Sequence, residues 1–196
     1  MADETSICNA AAILLGSKPI VSIDDENNAF AKLCKVSYAN VRDFVLDLHT
    51  WNCATKRVVL APLVSTPSFN WDYKFQLPSD VIRVVSVNDD DDYKLEDSRT
   101  LLCDSSAVEL IYIYRIEDPN EMPPSLREVI GIRLAWLLSF TLTQQNGDRQ
   151  ELERVFADTL RKARTIDAQS DGRSFLSRQN YQNARYNSDA SYQNRR

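Results

Sequence analysis

The hydrophobic period of this chain changes twice along its length, and those two changes restrict its fold more than any other feature. Up to about residue 50, apolar side chains recur at spacings of three and four, the period of a helix buried on one face. Between residues 56 and 116 short β-rich runs replace that pattern, and from Phe69 to Leu77 the bulky residues recur at every second position, the period of a half-buried strand. From residue 123 the helical period returns and runs to about residue 168. A segment patterned for one period does not pack with the other. The order is therefore two helices, a group of strands, and two helices. This predicts an α+β fold in which a four-helix bundle carries a small antiparallel β domain inserted between its second and third helices.

The individual elements follow from the same spacings. Ile7, Ala10, Ala11, Leu14 and Leu15 share one face of a helix over 5–15. Gly16 can end that helix in a left-handed conformation, and Pro19 prevents its resumption. Asp24 or Asp25 can cap a second helix whose stripe is Phe30, Leu33, Cys34, Val41, Phe44, Val45 and Leu48, with Ser37 filling one step. The β section opens with Val58, Val59 and Leu60. Phe69, Trp71, Tyr73, Phe75 and Leu77 then alternate with polar residues, so one strand would put all five on one face. Further strands are expected over Asp80–Val87, around Leu95, around Leu101 and Leu102, and over Val108–Ile116, with Asn88–Asp92 as a hairpin loop. The third helix starts at Pro123 and Pro124. It buries Leu126, Val129, Ile130, Leu134, Leu137, Leu138 and Thr141, is widened by Trp136 and Phe140, and is the most buried of the four. Gly147 breaks it. Asp148 can cap a fourth helix with Leu152, Val155, Phe156, Thr159, Leu160, Ala163 and Ile166 inward. The domains read as 1–50 with 122–171 for the bundle, 51–121 for the β insertion, and 172–196 for an extended C-terminal arm.

That arm differs in kind from what precedes it. Of 23 basic and 28 acidic residues, five Arg and one Asp lie beyond residue 171, leaving 18 bases against 27 acids in the body. With almost no aliphatic residues, the arm cannot build a core of its own. Yet Arg173, Arg178, Arg185, Arg195 and Arg196 interleave with Phe175, Tyr181, Tyr186 and Tyr192, and Arg and Tyr are residue types that anchor interfaces. A solvated terminus or an RNA-binding segment are the alternatives. The scattering of the Arg among Asn, Gln and Ser, and the acidic body, favour ordering against a protein partner.

Chemistry-bearing patterns are sparse. His49 is the single histidine, so a His-based metal site or a Ser-His-Asp arrangement would rest on it alone. The four glycines each fit a helix end, a helix contact or the arm boundary, leaving none for a phosphate cradle. Cys8, Cys34, Cys53 and Cys103 form no C-x-x-C pair and read as reduced, mostly buried thiols. Asp89-Asp90-Asp91-Asp92 lacks the spaced ligands and glycine of an EF-hand loop and reads as a solvated tip. Trp71, Tyr73 and Phe75 suit a stacking platform less well than a buried sheet face, because basic neighbours are few. No apolar run reaches 18 residues, so no membrane span is expected, and the N-terminus lacks the basic stretch of a secretory signal. No catalytic, metal or cofactor site is expected.

Three stretches, taken in order, resemble the tail tubular protein A, or head-to-tail adaptor, family of short-tailed phages. The first is Asn9-Ala10 with Leu15-Gly16 and Pro19-Ile20. The second is Arg42-Asp43 through Leu48-His49 to Trp51-Asn52-Cys53-Ala54, followed by Lys56-Arg57. The third is Leu77-Pro78-Ser79-Asp80 with Arg83-Val84, and Glu121-Met122-Pro123 also fits. Cys53 departs from the family's usual Phe. The resemblance spans roughly residues 7–168 and implies a non-enzymatic structural protein of the virion, made in the host cytoplasm. It implies a ring of twelve copies between the portal protein and the tail nozzle, with DNA only as passing cargo. The helical part and the arm would engage the portal, and the β domain the nozzle. The competing classes are a tail-borne hydrolase, needing two carboxylates across a cleft, and a small regulatory or RNA-binding protein acting through the arm.

Overall fold

A computed structural model describes residues 2–88, 91–143 and 146–170, leaving aside the side chains of residues 140, 142, 143 and 146–148. It is an α+β fold with four helices and two three-stranded antiparallel sheets. The elements are α1 (Glu4–Leu14), α2 (Ala29–Asp47), β1 (Thr55–Leu60), β2 (Tyr73–Gln76), β3 (Val81–Val87), β4 (Lys94–Glu96), β5 (Thr100–Cys103), β6 (Val108–Tyr114), α3 (Pro124–Thr143) and α4 (Asn146–Ser170).

Asp3 caps α1 through a reciprocal box: its carboxylate accepts from the Ser6 N–H at 2.8 Å, and its own N–H donates to Ser6 Oγ. The buried face is Ile7, Cys8, Ala11 and Ala12, whereas Ala10 and Leu14 are exposed, so the predicted stripe is rotated by about one residue. Gly16 ends the helix with φ of 65°, as its sequence position suggests. The cap of α2 is Asn28 rather than Asp24 or Asp25; its side-chain oxygen accepts from the N–H groups of Phe30 and Ala31. Phe44 is 43 % exposed, and Tyr38 and Leu46 occupy the core instead.

The helix α3 is central. It packs against α1, α2 and α4, and it buries residues on almost every side: Leu126, Val129, Ile130, Ile132, Leu134, Ala135 and Leu138. Leu137, expected inward, is 42 % exposed. Gly131 faces α1, and a Cβ there would meet Ala10 Cβ and the Ile7 carbonyl at 3.5 Å, an ordinary packing contact. The helix α4 leans on α3 and on the short turn after α2, so its inward face is only partly covered. Leu152, Ala163 and Asp167 are buried, Phe156 and Leu160 are half-buried, and Ile166 is 52 % exposed.

One sheet has the order β1-β6-β3 and the other β2-β5-β4. Residues of both share an apolar cluster around Phe75, Leu77, Val87, Leu101 and Leu110. A second and larger cluster fills the helices and takes in Trp51, Ala54, Ile113, Ile116 and Met122 from the segments that enter and leave the strands. Two β expectations are corrected. The strand containing Phe75 begins only at Tyr73, because Asn70 takes φ of 70° and turns the chain out of the extended conformation. Phe69 is consequently 75 % exposed. Asn88–Asp92 is not a hairpin loop, because β3 and β4, on either side of it, belong to different sheets.

Candidate functional site

The residues predicted to bind a partner, Arg173, Phe175, Arg178, Tyr181, Arg185, Tyr186, Tyr192, Arg195 and Arg196, lie outside the described residues. The structure does describe where that segment is rooted. The last turns of α4 are fastened to the segment that leaves α2, and the fastening is built by polar groups of the second sequence motif.

Asp167 is 8 % exposed and lies at the centre. Its carboxylate accepts from the Asn52 backbone N–H at 3.1 and 3.3 Å, and its backbone carbonyl accepts from Asn52 Nδ2 at 2.8 Å. His49 Nε2 stands 3.4 Å from Asp167 Oδ2. One turn earlier, Arg164 Nη2 donates to the Leu48 carbonyl at 2.6 Å, answering one of the carbonyls left open at the end of α2. Trp51 is fully buried beneath this cluster. Its Nε1 donates to the Val45 carbonyl at 3.0 Å, and its ring meets His49 edge-on at 4.9 Å. Burial lowers the His49 pKa and outweighs the upward pull of Asp167, so the imidazole is neutral near pH 7.

A second network joins the helices to the β strands. Asp43 on α2 pairs with Arg115 Nε at 2.8 Å, just past β6, and with the buried Arg42 at 2.9 Å. Asp80 accepts from Lys56 Nζ at 3.0 Å and from the Tyr112 hydroxyl at 3.2 Å, and its backbone carbonyl accepts from the Arg115 N–H at 2.8 Å. Lys56 lies 3.6 Å from the centre of the Tyr114 ring, whose hydroxyl donates to Glu121. Burial, together with the bond to Glu121, pushes the Tyr114 pKa up to about 12. Arg83 reaches back to Thr50 Oγ1 at 3.2 Å and lies 3.7 Å from Asp47. Away from this junction, Asn9 holds the turn after α1 by a pair of bonds with the Ile20 backbone at 2.7 and 2.9 Å.

The side chains of the second and third sequence motifs are thus brought together. Arg42, Asp43, His49, Trp51, Asn52, Lys56, Asp80, Arg83 and Glu121, spread over 80 positions of sequence, all lie where the helices meet the strands. Sequence reasoning passed over Asp167, whose partner Asn52 is 115 residues away. Its signal was a carboxylate on the apolar side of α4, one turn after Ala163.

The other candidates have structural roles. The four cysteines are free thiols, and burial pushes Cys53 up to about 11, so it stays protonated near neutral pH. Asp91 accepts from Asn88 Nδ2 at 3.0 Å and from Ser105 Oγ at 2.9 Å, and these bonds hold its carboxyl below the usual range. Phe75 is fully buried in the sheet cluster, while Trp71 and Tyr73 are half-buried. Among the described residues no group of His, Cys, Asp and Glu is placed to hold a metal ion, and no helix is long and apolar enough to cross a membrane. Neither a protein-family model nor a curated protein sequence matches the chain.

Proposed function

We propose that this chain is a head-to-tail adaptor of a short-tailed phage, a non-enzymatic virion protein whose copies form a ring joining the portal to the tail nozzle. The observation that carries the reading is the convergence of the second and third motif stretches, with Glu121, on one junction. Those two stretches have a single physical content here, a clamp that fixes the strands and the end of α4 relative to α2, while the first stretch holds the turn after α1. A connector must transmit position from one neighbour to another, and a rigid junction between its two working parts suits that task.

In this reading residues 1–50 and 122–171 form a four-helix bundle, residues 51–121 an inserted β domain, and residues 172–196 an arm that orders against the portal. The β domain meets the nozzle. The exposed side of β1 and β6, where Arg57, Val59, Glu109 and Ile111 line a depression of about 430 Å³, is available for such a contact. The net negative charge of residues 1–171 suits a conduit that must release its DNA, because like charge prevents tight binding. The Asp167 clamp would give the arm a fixed starting point at Ser170. Arg of the arm would bond portal carboxylates and Tyr would fill grooves, and repetition around a ring would multiply a weak single contact.

Deleting residues 173–196 tests the arm. The truncated protein is expected to fold with unchanged circular dichroism and to lose binding to isolated portal rings. Binding equal to that of the full chain would sink the reading.

A further inference from the structure

We infer that the face shared by α2, α3 and α4 is a docking site for an acidic, amphipathic protein segment, distinct from the contacts assigned to the arm. Arg133 is the single charged residue from 129 to 147, in the otherwise apolar run of α3. Its guanidinium carbon lies 4.0 Å from the centre of the Trp136 ring, 4.6 Å from that of Phe44 on α2, and 5.5 Å from that of Phe156 on α4. Arg149 of α4 lies 4.2 Å from the same Trp136 ring. Aromatic faces attract a guanidinium but do not satisfy its N–H donors. Among the described residues neither arginine makes a hydrogen bond or an ion pair, and the Trp136 Nε1 donor is buried without a partner.

The charges make the arrangement incomplete. Both guanidinium carbons sit on one indole, so they are at most about 8 Å apart, within one Debye length at physiological salt. Burial lowers the Arg133 pKa; Glu153 nearby raises it and Arg149 lowers it. Among the described residues no carboxylate forms an ion pair with either cation, Glu153 acting on Arg133 only from a distance. From Phe156 an open groove of about 870 Å³ runs along α4 past Leu160; Glu153 lines it, as do Arg161, paired with Asp158, and Arg164, bonded to the Leu48 carbonyl. Half-buried aromatics beside Arg133 and Arg149, whose donors meet no acceptor among the described residues, have the make-up of an interface anchor.

Charge selects the occupant. The chain's own C-terminal segment, with five Arg and one Asp, has the wrong sign. Nucleic acid has the right sign, but it offers no aliphatic side chains for Phe156 and Leu160, and it would approach through the field of an acidic body. A protein helix or strand with carboxylates on one side and aliphatic groups on the other satisfies both demands. The site stands on these contacts whether or not the chain is an adaptor.

The test titrates the full chain with a synthetic amphipathic peptide of Leu and Glu. A counterpart with Gln for Glu and a single-stranded oligonucleotide serve as comparisons. The Trp136 indole N–H resonance is followed by NMR, with that of Trp51 as an internal reference. The Glu peptide is expected to shift Trp136 saturably and leave Trp51 unmoved, and Arg133→Gln with Arg149→Gln to weaken binding by about ten-fold or more. The single variant Arg149→Gln, on α4 alone, keeps the test open if the double variant does not fold. Equal binding of the Gln peptide, tighter binding of the oligonucleotide, or unchanged affinity in the variants would each overturn the inference.

Discussion

The two ends of α4 are both polar and both partly buried, and they are finished in opposite ways. At its C-terminal end, Asp167 and Arg164 meet Asn52, His49 and the Leu48 carbonyl, so the buried carboxylate shares the Asn52 N–H between its oxygens, with His49 Nε2 beside one of them. Toward its N-terminal end, Arg149 and its neighbour Arg133 share the Trp136 ring and, among the described residues, form no ion pair with a carboxylate. A buried charge whose partners lie within the chain is a structural fastening, because losing either side leaves the other unsatisfied. A half-buried cation pair without an ion-pair partner gains most from a group supplied from outside. The C-terminal end therefore sets where the following segment begins, and the N-terminal end is a surface awaiting a partner.

Mutations at the fastened end break the contrast most strongly. Trp51→Ala removes a fully buried indole, its bond to the Val45 carbonyl and the ring that supports His49. It is expected to cost about 3–5 kcal/mol in denaturant unfolding. Asp167→Ala leaves the Asn52 N–H without its acceptor and frees the end of α4 from the segment after α2. It is expected to cost about 2–3 kcal/mol in the same measurement and to raise amide exchange in the last turns of α4. The smallest effect is on pH dependence. The folded pKa of His49 lies below its unfolded value of about 6.5. Above that pH both states are neutral and no stability is lost. As the pH falls through it, the unfolded chain takes a proton that the folded chain resists, so stability declines on acidification. His49→Gln should remove that part of the decline, seen as a smaller difference in Tm between pH 7 and pH 5.5.

Much of the helical framework was legible because period and punctuation agree. Gly16 with Pro19, and Pro124 at the start of α3, mark ends that no other residue types mark as sharply. Periodicity failed where tertiary contact decides. It put Phe44 and Leu137 inward, yet the aromatic and aliphatic groups there remain half in solvent beside α3 and α4. Alternation extended the Phe75 strand back to Phe69 because it does not register a left-handed Asn70. A polar run between two strands read as a hairpin because sequence order does not reveal which sheet each strand joins. The junction was visible as motifs without a mechanism. Trp51-Asn52 was marked, but its partner Asp167 is far away in sequence and adjacent only after folding. The Arg133 site left one local trace, a lone charge between residues 129 and 147, three residues before a Trp on the same face.

The central claim, that the chain is a ring-forming adaptor recruited by a portal, is tested most directly by mass. The full-length protein is weighed by multi-angle light scattering, alone and after mixing with purified portal rings. The account predicts a monomer of 22.4 kDa alone and, on the portal, a complex whose added mass corresponds to a closed ring of subunits. An unchanged portal mass at saturating protein would contradict it.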